Sequence, residues 1–240
     1  MSEGLEPAYV LHGRDFRESS RIVELFAAGH GRVGVVARGA RGPRSPWRSL
    51  LQPFRPLLAS WGGRGELATL RRAEPAGAAP LLRGEALLAG LYANELLLRL
   101  TVRGDPHPGL FAAYHALLGA LPDAGRRRWA LRRFEAALLE ELGWGLPLER
   151  TADGAPVVAE GRYRLEGGQR LVAVAPEAAG AVSGATLLAL RGEEPPPGAH
   201  AGEARRLLQQ ALARHLGGRP LRSPELLGGR RGAPAGEAEA

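Results

Sequence analysis

The pattern of apolar residues changes abruptly near residue 80, and this change constrains the fold more than any other feature of the chain. Before it, short apolar or alternating runs are separated by glycine-rich turns; the runs are Tyr9–His12, Arg21–Phe26, Arg32–Arg38, Pro56–Trp61 and Glu66–Glu74. Five short strands suit a small closed barrel better than a sandwich, which needs more strands. Residues 1–80 are therefore predicted to form an OB-fold β-barrel.

From Leu81 onward the sequence is rich in leucine and alanine at helical spacing, which predicts a mainly α-helical domain over 81–227. The predicted helices are Glu85–Leu100, Pro108–Leu121, Arg126–Leu142, Gly184–Leu190 and Gly202–Leu216. Short alternating runs around Asp-Gly and Gly-Gly interrupt them and predict a small β-hairpin insertion at about 147–176. The Gly/Ala/Arg/Glu-rich tail, 228–240, is predicted to be disordered. The expected fold class is α+β.

A long basic segment without acidic residues lies within the predicted barrel. Between Glu24 and Glu66 the chain has seven arginines and no carboxylate. Like charges repel, so such a segment is tolerated when its charges spread into solvent or when a polyanion neutralises them. Nucleic acid is the first partner this suggests, and a solvated basic loop is the alternative; the charges alone do not decide between them.

Composition removes several classes of chemistry. The net charge is +7, and every basic residue other than histidine is arginine. Without lysine there is no Walker A lysine, Schiff base or lysine general base. Without cysteine there is no disulfide, thiol nucleophile or cysteine-ligated zinc. No signal peptide or membrane-spanning run is recognisable, so the expected location is the cytoplasm.

No catalytic set emerges from the remaining polar residues. The six histidines are scattered, and none lies three or four residues from another as metal ligands on a helix would. None of the serines considered has the Gly-x-Ser-x-Gly setting of a nucleophile elbow. We therefore expect no catalytic residues, no metal and no cofactor, and a chain that is not an enzyme.

The second and third predicted strands and the basic loop that follows them provide the candidate DNA-binding residues. They are Arg21, Arg32, Arg38, Arg41, Arg44, Trp47 and Arg48. Arginine binds backbone phosphates through its two-pronged guanidinium, and a nearby aromatic ring can stack on a base. Trp47 follows a proline in the basic loop and is expected to be exposed, whereas Phe54 is expected to lie in the barrel core.

A second basic cluster begins the third predicted helix. Arg128 and Arg132 fall on one helical face, and Arg133 flanks it. A basic rim beside an apolar groove could receive an acidic peptide that ends in hydrophobic residues. A solvated helix face, partly neutralised by Glu135, explains the same residues slightly better when they are considered alone.

Six segments in order resemble the RecO family of bacterial recombination mediators, and the resemblance covers about residues 8–227. They are YVLHGRDFRESSRIVELF, GRVGVVARGARGPRS, LLQPFRPLLASWGGRGELATLRRAE, LYANELLLRL, ALRRFEAALLEELGWG and LGGRPLRSPELL. These are structural or binding segments rather than a catalytic signature. The resemblance implies an N-terminal OB-fold followed by a helical domain.

The same resemblance implies a non-catalytic role at the bacterial nucleoid. Such proteins bind single- and double-stranded DNA, anneal complementary strands and, with RecR, help load RecA onto strands coated by single-strand-binding protein. The acidic C-terminal tail of that coating protein docks on the helical domain, which gives Arg132 and Arg133 more weight. Many members carry a four-cysteine zinc site in the insertion, so this chain is predicted to belong to a zinc-free branch.

Two other functions remain open at this stage. An RNA- or ribosome-associated basic OB-fold protein would share both the charge and the fold, and it would prefer structured RNA to DNA. A nuclease or phosphoesterase would need a metal site, for which no ligand set is visible in the sequence.

Overall fold

The computed structural model describes residues 4–63, 65–192, 200–218 and 221–223. Its first part is a barrel of five strands: β1 (Glu6–Phe16), β2 (Ser20–Ala27), β3 (Gly31–Ala37), β4 (Pro56–Gly62) and β5 (Ala68–Pro75). Around the barrel the order is β1-β2-β3-β5-β4, and β4 pairs with β1 to close it. The β3–β5 pair is parallel and the other pairs are antiparallel. The predicted OB-like barrel is confirmed.

Strand β2 shows how the sequence pattern divides between two cores. Val23 and Leu25 point into the barrel, as expected from the period of two along a strand. Phe26 points outward, into a core that the barrel shares with the helices. Strand β1 serves both cores by the same alternation, with Ala8 and Val10 in the barrel core and Tyr9 and Leu11 in the shared core.

A four-residue helix, α1 (Trp47–Leu50), lies between β3 and β4 and was not predicted. It is too short to show helical periodicity in the sequence. Trp47 is half-buried and packs with Leu50 against the barrel core. The expectation of an exposed Trp47 ring is therefore wrong, and the ring instead helps to close this end of the barrel.

The second part is mainly helical, as predicted. Its helices are α2 (Glu85–Leu100), α3 (Pro108–Ala120), α4 (Ala124–Glu141), α5 (Gly184–Ala189) and α6 (His200–His215). Asp123 caps α4 by accepting hydrogen bonds from the backbone N–H groups of Gly125 and Arg126. Helix α2 covers the predicted range, and eight of its 16 residues are buried, although Leu87 is exposed.

A three-stranded sheet interrupts the helices. It consists of β6 (Arg162–Glu166), β7 (Arg170–Ala173) and β8 (Val182–Ser183), in the order β7-β6-β8. The predicted hairpin corresponds to β6 and β7, whereas β8 was not predicted. Tyr163, Leu165 and Leu171 join the large helical core, which anchors the sheet. In the described part of the chain, no group of three or more His, Cys, Asp or Glu residues could hold a metal ion.

The barrel and the helices share one continuous apolar core. Tyr9, Leu11 and Phe26 from the barrel pack with α2 and α3 residues. Phe54 belongs here rather than in the barrel interior, and a Cβ added at Gly90 of α2 would lie 2.8 Å from its ring. The predicted disordered tail, 228–240, lies outside the described residues. No helix within those residues is long and apolar enough to cross a membrane.

Candidate nucleic-acid interface

Two loops that are distant in sequence meet at one end of the barrel. The Arg41 N–H donates to the Ser19 carbonyl at 3.0 Å, which ties the loop after β3 to the turn between β1 and β2. The Arg41 guanidinium also pairs with Asp15 at 3.3 Å and donates to the Arg17 carbonyl at 2.8 Å. We call this surface the arginine end; its residues are Arg17, Arg21, Arg38, Arg41, Arg44 and Arg48.

Three of the predicted DNA-binding arginines are exposed there without internal partners. The guanidinium groups of Arg38, Arg44 and Arg48 make no ion pair or hydrogen bond to any part of the chain that the structure describes. The segment around them contains no acid that could pair with them locally. Their charges are therefore available to an external anion.

Two other predicted arginines share a carboxylate that the sequence pattern did not reveal. Asp15 lies opposite Arg21 on the neighbouring strand, and its oxygens approach both Arg21 (3.5 Å) and Arg41 (3.3 Å). The Arg21 side chain is three-quarters covered and packs over Gly13. The basic segment contains no acidic residue, but the fold brings Asp15 next to it. The net positive charge of the arginine end is therefore lower than the sequence of the segment suggests.

Arg32 has a structural position and does not lie on the exposed basic surface. Its side chain is only 14% exposed and pairs with the buried Glu24 at 3.0 Å. Its Nη1 donates to the carbonyls of Leu98 and Thr101 at the end of α2. A cation there satisfies carbonyls that have no helical partner and complements the helix dipole. We therefore correct the prediction by leaving Arg32 out of the DNA-binding surface.

Arg14 and Arg17 stand beside the predicted set but were not predicted from the sequence. Both are exposed, and the Arg17 guanidinium lies 5.1 Å from the Phe16 ring centroid. They were overlooked because Asp15 and Glu18 alternate with them and mask the local charge. The β1–β2 pairing places this turn at the arginine end, so proximity in the fold, rather than charge density in the sequence, identifies these residues.

The chain matches two family models, one in each part. Residues 1–79 match the family described as "Recombination protein O N terminal", and residues 81–225 match "Recombination protein O C terminal". The chain belongs to the RecO family of DNA repair proteins. The barrel with its arginine end falls in the N-terminal match, and helices α2 to α6 fall in the C-terminal one.

Proteins named "DNA repair protein RecO" are similar to this chain over most of its length. The protein of Alkalilimnicola ehrlichii is 53% identical, with 92% of this chain and 90% of the relative covered. The protein of Methylococcus capsulatus is 46% identical, with 92% of each covered. That of Halorhodospira halophila is 48% identical, with 92% of this chain and 95% of the relative covered.

In the RecO C-terminal segment, the three predicted tail-binding arginines separate. Arg128 is exposed, and Arg133 is half-buried with a partner. Arg132 is only 5% exposed and its Nη2 lies 2.8 Å from Oε1 of the fully buried Glu135. The predicted basic rim therefore does not include Arg132, because α4 turns this side chain toward the domain core. Glu135 likewise belongs to the core rather than to a solvated helix face.

Glu135 is the centre of a buried polar network. The Tyr92 hydroxyl of α2 donates to its Oε1 at 2.8 Å. Burial raises the pKa of Glu135 to about 7, although Arg132, Tyr92 and the charge of Arg205 on α6 act in the opposite direction. Arg132 Nη1, Glu135 Oε2 and Trp129 Nε1 are buried without hydrogen-bond partners in the described structure. The hydrogen bond and the ion pair join α2 to α4.

A second polar cluster in this RecO-family chain resembles a catalytic triad in composition but differs in its contacts. Glu203 accepts hydrogen bonds from the hydroxyls of Ser183 (2.6 Å) and Thr186 (2.7 Å), while His200 Nδ1 contacts Thr186 at 2.7 Å. In a triad the carboxylate would orient the imidazole instead. Although burial opposes it, hydrogen bonding from Ser183 and Thr186 lowers the pKa of Glu203 to about 2. Ser183 caps helix α5, so this arrangement fixes the start of that helix.

Proposed function

We propose that this chain is a DNA-binding recombination mediator. It binds single- and double-stranded DNA, anneals complementary strands and, together with RecR, helps load RecA onto strands coated by single-strand-binding protein. Its role is non-catalytic, and it acts at the nucleoid. Membership of the RecO family and the exposed arginines of the barrel support this proposal.

The observation that carries the proposal is the absence of internal partners for Arg38, Arg44 and Arg48 in the described structure. Exposed arginines cost little in isolation, but a group of them with few acids creates a positive potential that attracts polyanions. Each guanidinium can hold a phosphate through two parallel hydrogen bonds. Backbone phosphates are common to all DNA sequences, so this surface suits binding without sequence preference.

Charge neutralisation also gives the proposed mechanism of annealing. Two complementary strands repel each other through their phosphates, and a cationic surface that holds both strands reduces this repulsion. Because Arg41 fixes the loop after β3 against the β1–β2 turn, the cations are presented on one face of the barrel. This arrangement brings two strands together without fixing their register, so base pairing can select the correct alignment.

The helical domain supplies the proposed docking site for the acidic tail of the coating protein. Arg128 is an exposed cation of α4, and Leu131, one turn further, is half-buried. An acidic peptide ending in hydrophobic residues needs such a cation beside an apolar surface. Arg132 lies beneath this surface, where its ion pair with Glu135 and the Tyr92–Glu135 hydrogen bond hold α4 in position.

The proposal is tested by annealing complementary DNA strands coated with the cognate single-strand-binding protein. The coat is used intact and without its acidic tail. We expect annealing on the intact coat, a severalfold slower reaction on the truncated coat, and a similar loss for Arg128→Ala on the intact coat. Arg170→Ala, which removes an exposed arginine from the small sheet, is the matched control and should anneal normally.

Equal rates on both coats would contradict tail docking while leaving annealing itself intact. No annealing on either coat, despite tight DNA binding, would contradict the mediator function. A marked preference for structured RNA over DNA would instead favour an RNA- or ribosome-associated basic OB-fold protein.

A further inference from the structure

A cleft of about 330 Å³ opens where the barrel meets the helical domain. This volume lies at the lower end of the range for small-ligand sites, about 300–1,000 Å³. Its apolar walls are Ile22 on β2, Leu67 just before β5 and Leu98 near the end of α2. We call it the junction cleft, because both domains contribute to its lining.

Arg103 lines the junction cleft and covers the middle of the β2–β3 face, which binds oligonucleotides in many OB-folds. Its guanidinium forms two hydrogen bonds with Glu24, at 2.9 and 2.6 Å. It also lies over Gly34 of β3, where an added Cβ would be 2.9 Å from its Cζ. The centre of that face is therefore covered by the loop between α2 and α3, and the cleft is the opening that remains beside it.

The two carboxylates of the cleft, Glu24 and Glu66, differ in whether they already have hydrogen-bond partners within the protein. Glu24 is 7% exposed and shared between Arg32 and Arg103. Glu66 is exposed, and its carboxylate accepts no hydrogen bond within the described residues. Its charge raises the pKa of Arg103, but the two side chains do not form an ion pair. Glu66 is thus the acceptor that remains available to a bound molecule.

The cleft lies close to the arginine end but on the other face of the same strand pair. Arg14 lines the cleft and pairs across the strands with Ile22, and the next pair along the ladder is Asp15 with Arg21 of the arginine end. Because successive side chains of a strand point to opposite faces, a bound strand whose phosphates follow the arginine end would pass around the end of this strand pair to reach Arg14. A base of that strand could then enter between the apolar walls.

We propose that the junction cleft binds one unpaired base that presents an exocyclic amine, with cytosine as the base used to test it. This proposal rests on the proposed function, because it requires single-stranded DNA on the adjacent surface. Ile22 and Leu67 contact the faces of the base, and Arg103 and Arg14 hold the flanking phosphates. The Glu66 carboxylate accepts a hydrogen bond from the cytosine N4 amine, whereas thymine offers an acceptor at the same position.

The test compares binding of oligo(dC) and oligo(dT) of about a dozen nucleotides, within the site sizes of OB-folds. Affinities are measured by fluorescence anisotropy at fixed salt and at mildly alkaline pH, where cytosine is unprotonated. We expect the wild type to prefer oligo(dC) by about fivefold or more, the lower end of the discrimination given by a specific base contact. Glu66→Gln should reduce this preference.

A second variant tests occupancy of the cleft directly. Leu67→Trp fills it, so we expect loss of the oligo(dC) preference while most of the salt dependence of binding is retained, since the contacts at the arginine end remain. Leu81→Trp, at a position 70% exposed and outside the cleft, is the matched control. Circular dichroism confirms that each variant is folded.

The outcomes separate this proposal from the proposed function. Equal affinity of the wild type for oligo(dC) and oligo(dT), with annealing intact, overturns the cleft proposal alone. Retention of the full preference by Leu67→Trp overturns it as well. Absence of single-strand binding to either oligonucleotide instead contradicts the proposed function.

Discussion

Arg38 at the arginine end and Arg132 in α4 look alike in the sequence, because each stands among other arginines, yet the fold gives them opposite positions. Arg38 is exposed and has no partner in the described structure. Arg132 is buried and paired with Glu135. A run of arginines therefore indicates neither a binding surface nor a structural ion pair; the position of the nearest carboxylate and the burial of the side chain decide between them.

The largest effect on stability is expected for replacement of the buried Arg132. Arg132→Ala should lower the free energy of unfolding by about 3–5 kcal/mol, because it leaves a buried carboxyl without its counter-charge. The measurement is urea unfolding above pH 7, where Glu135 is mostly ionised. Replacing both partners, with Arg132→Met and Glu135→Leu, should restore much of the stability, since it removes the buried charges together.

If Arg132→Ala lowers the free energy of unfolding by less than about 1 kcal/mol, the contrast between Arg38 and Arg132 is wrong. The arginine would then behave as a surface residue in solution, and it would return to the candidates for binding an acidic tail.

The next prediction concerns the pH dependence of the same pair. Burial raises the pKa of Glu135 from 4.5 to about 7 on folding, so the folded state holds the proton more tightly than the unfolded state. The stability this provides is complete below the unfolded pKa and is lost as the pH rises through about 7. Relative to Glu135→Gln, the wild type should lose on the order of 2–3 kcal/mol between about pH 5 and about pH 8.

Unfolding free energies of the two proteins at each pH provide the measurement. The difference between them isolates Glu135 from Glu24 and Glu203, whose lowered pKa values give stability that is lost in acid and have the opposite sign. A difference that does not change with pH would show that Glu135 does not titrate in this range.

The sequence predicts the elements of this fold better than the partners of its charges. Regular apolar periodicity located α2 and the five barrel strands, because local patterns determine them. The structural position of Arg32 could not be found this way, since the Thr101 carbonyl that it binds is 69 residues away. The approach of Asp15 to Arg41 likewise depends on how two loops meet in the folded barrel.

Burial of Arg132 did leave a signal in the sequence. Trp129, Arg132, Glu135 and Leu139 follow one another at three- or four-residue spacing, so they share one face of α4. All four are buried. An arginine and a glutamate placed within an apolar stripe indicate an internal ion pair, and this pattern distinguishes Arg132 from Arg128, which is exposed.

The smallest effect on stability is expected at the arginine end, where the effect on binding should be clear. Replacing Arg38, Arg44 and Arg48 together by alanine should change the unfolding free energy by less than about 0.5 kcal/mol per site, because none has an internal partner among the described residues. If each contacts one phosphate, the log–log salt slope for single-stranded DNA should become less steep by about 2, from ~0.7 per contact.

Arg32→Ala provides the contrasting variant within the same basic segment. Its loss leaves Glu24 with one fewer partner and uncaps the end of α2, so stability should fall by about 2 kcal/mol. The salt slope should stay at the wild-type value, because Arg32 is covered by the helical domain. Two results would contradict this contrast: a less steep salt slope for Arg32→Ala, or an unchanged slope for the triple variant. Either would show that exposure in the fold does not determine which arginines of this segment bind DNA.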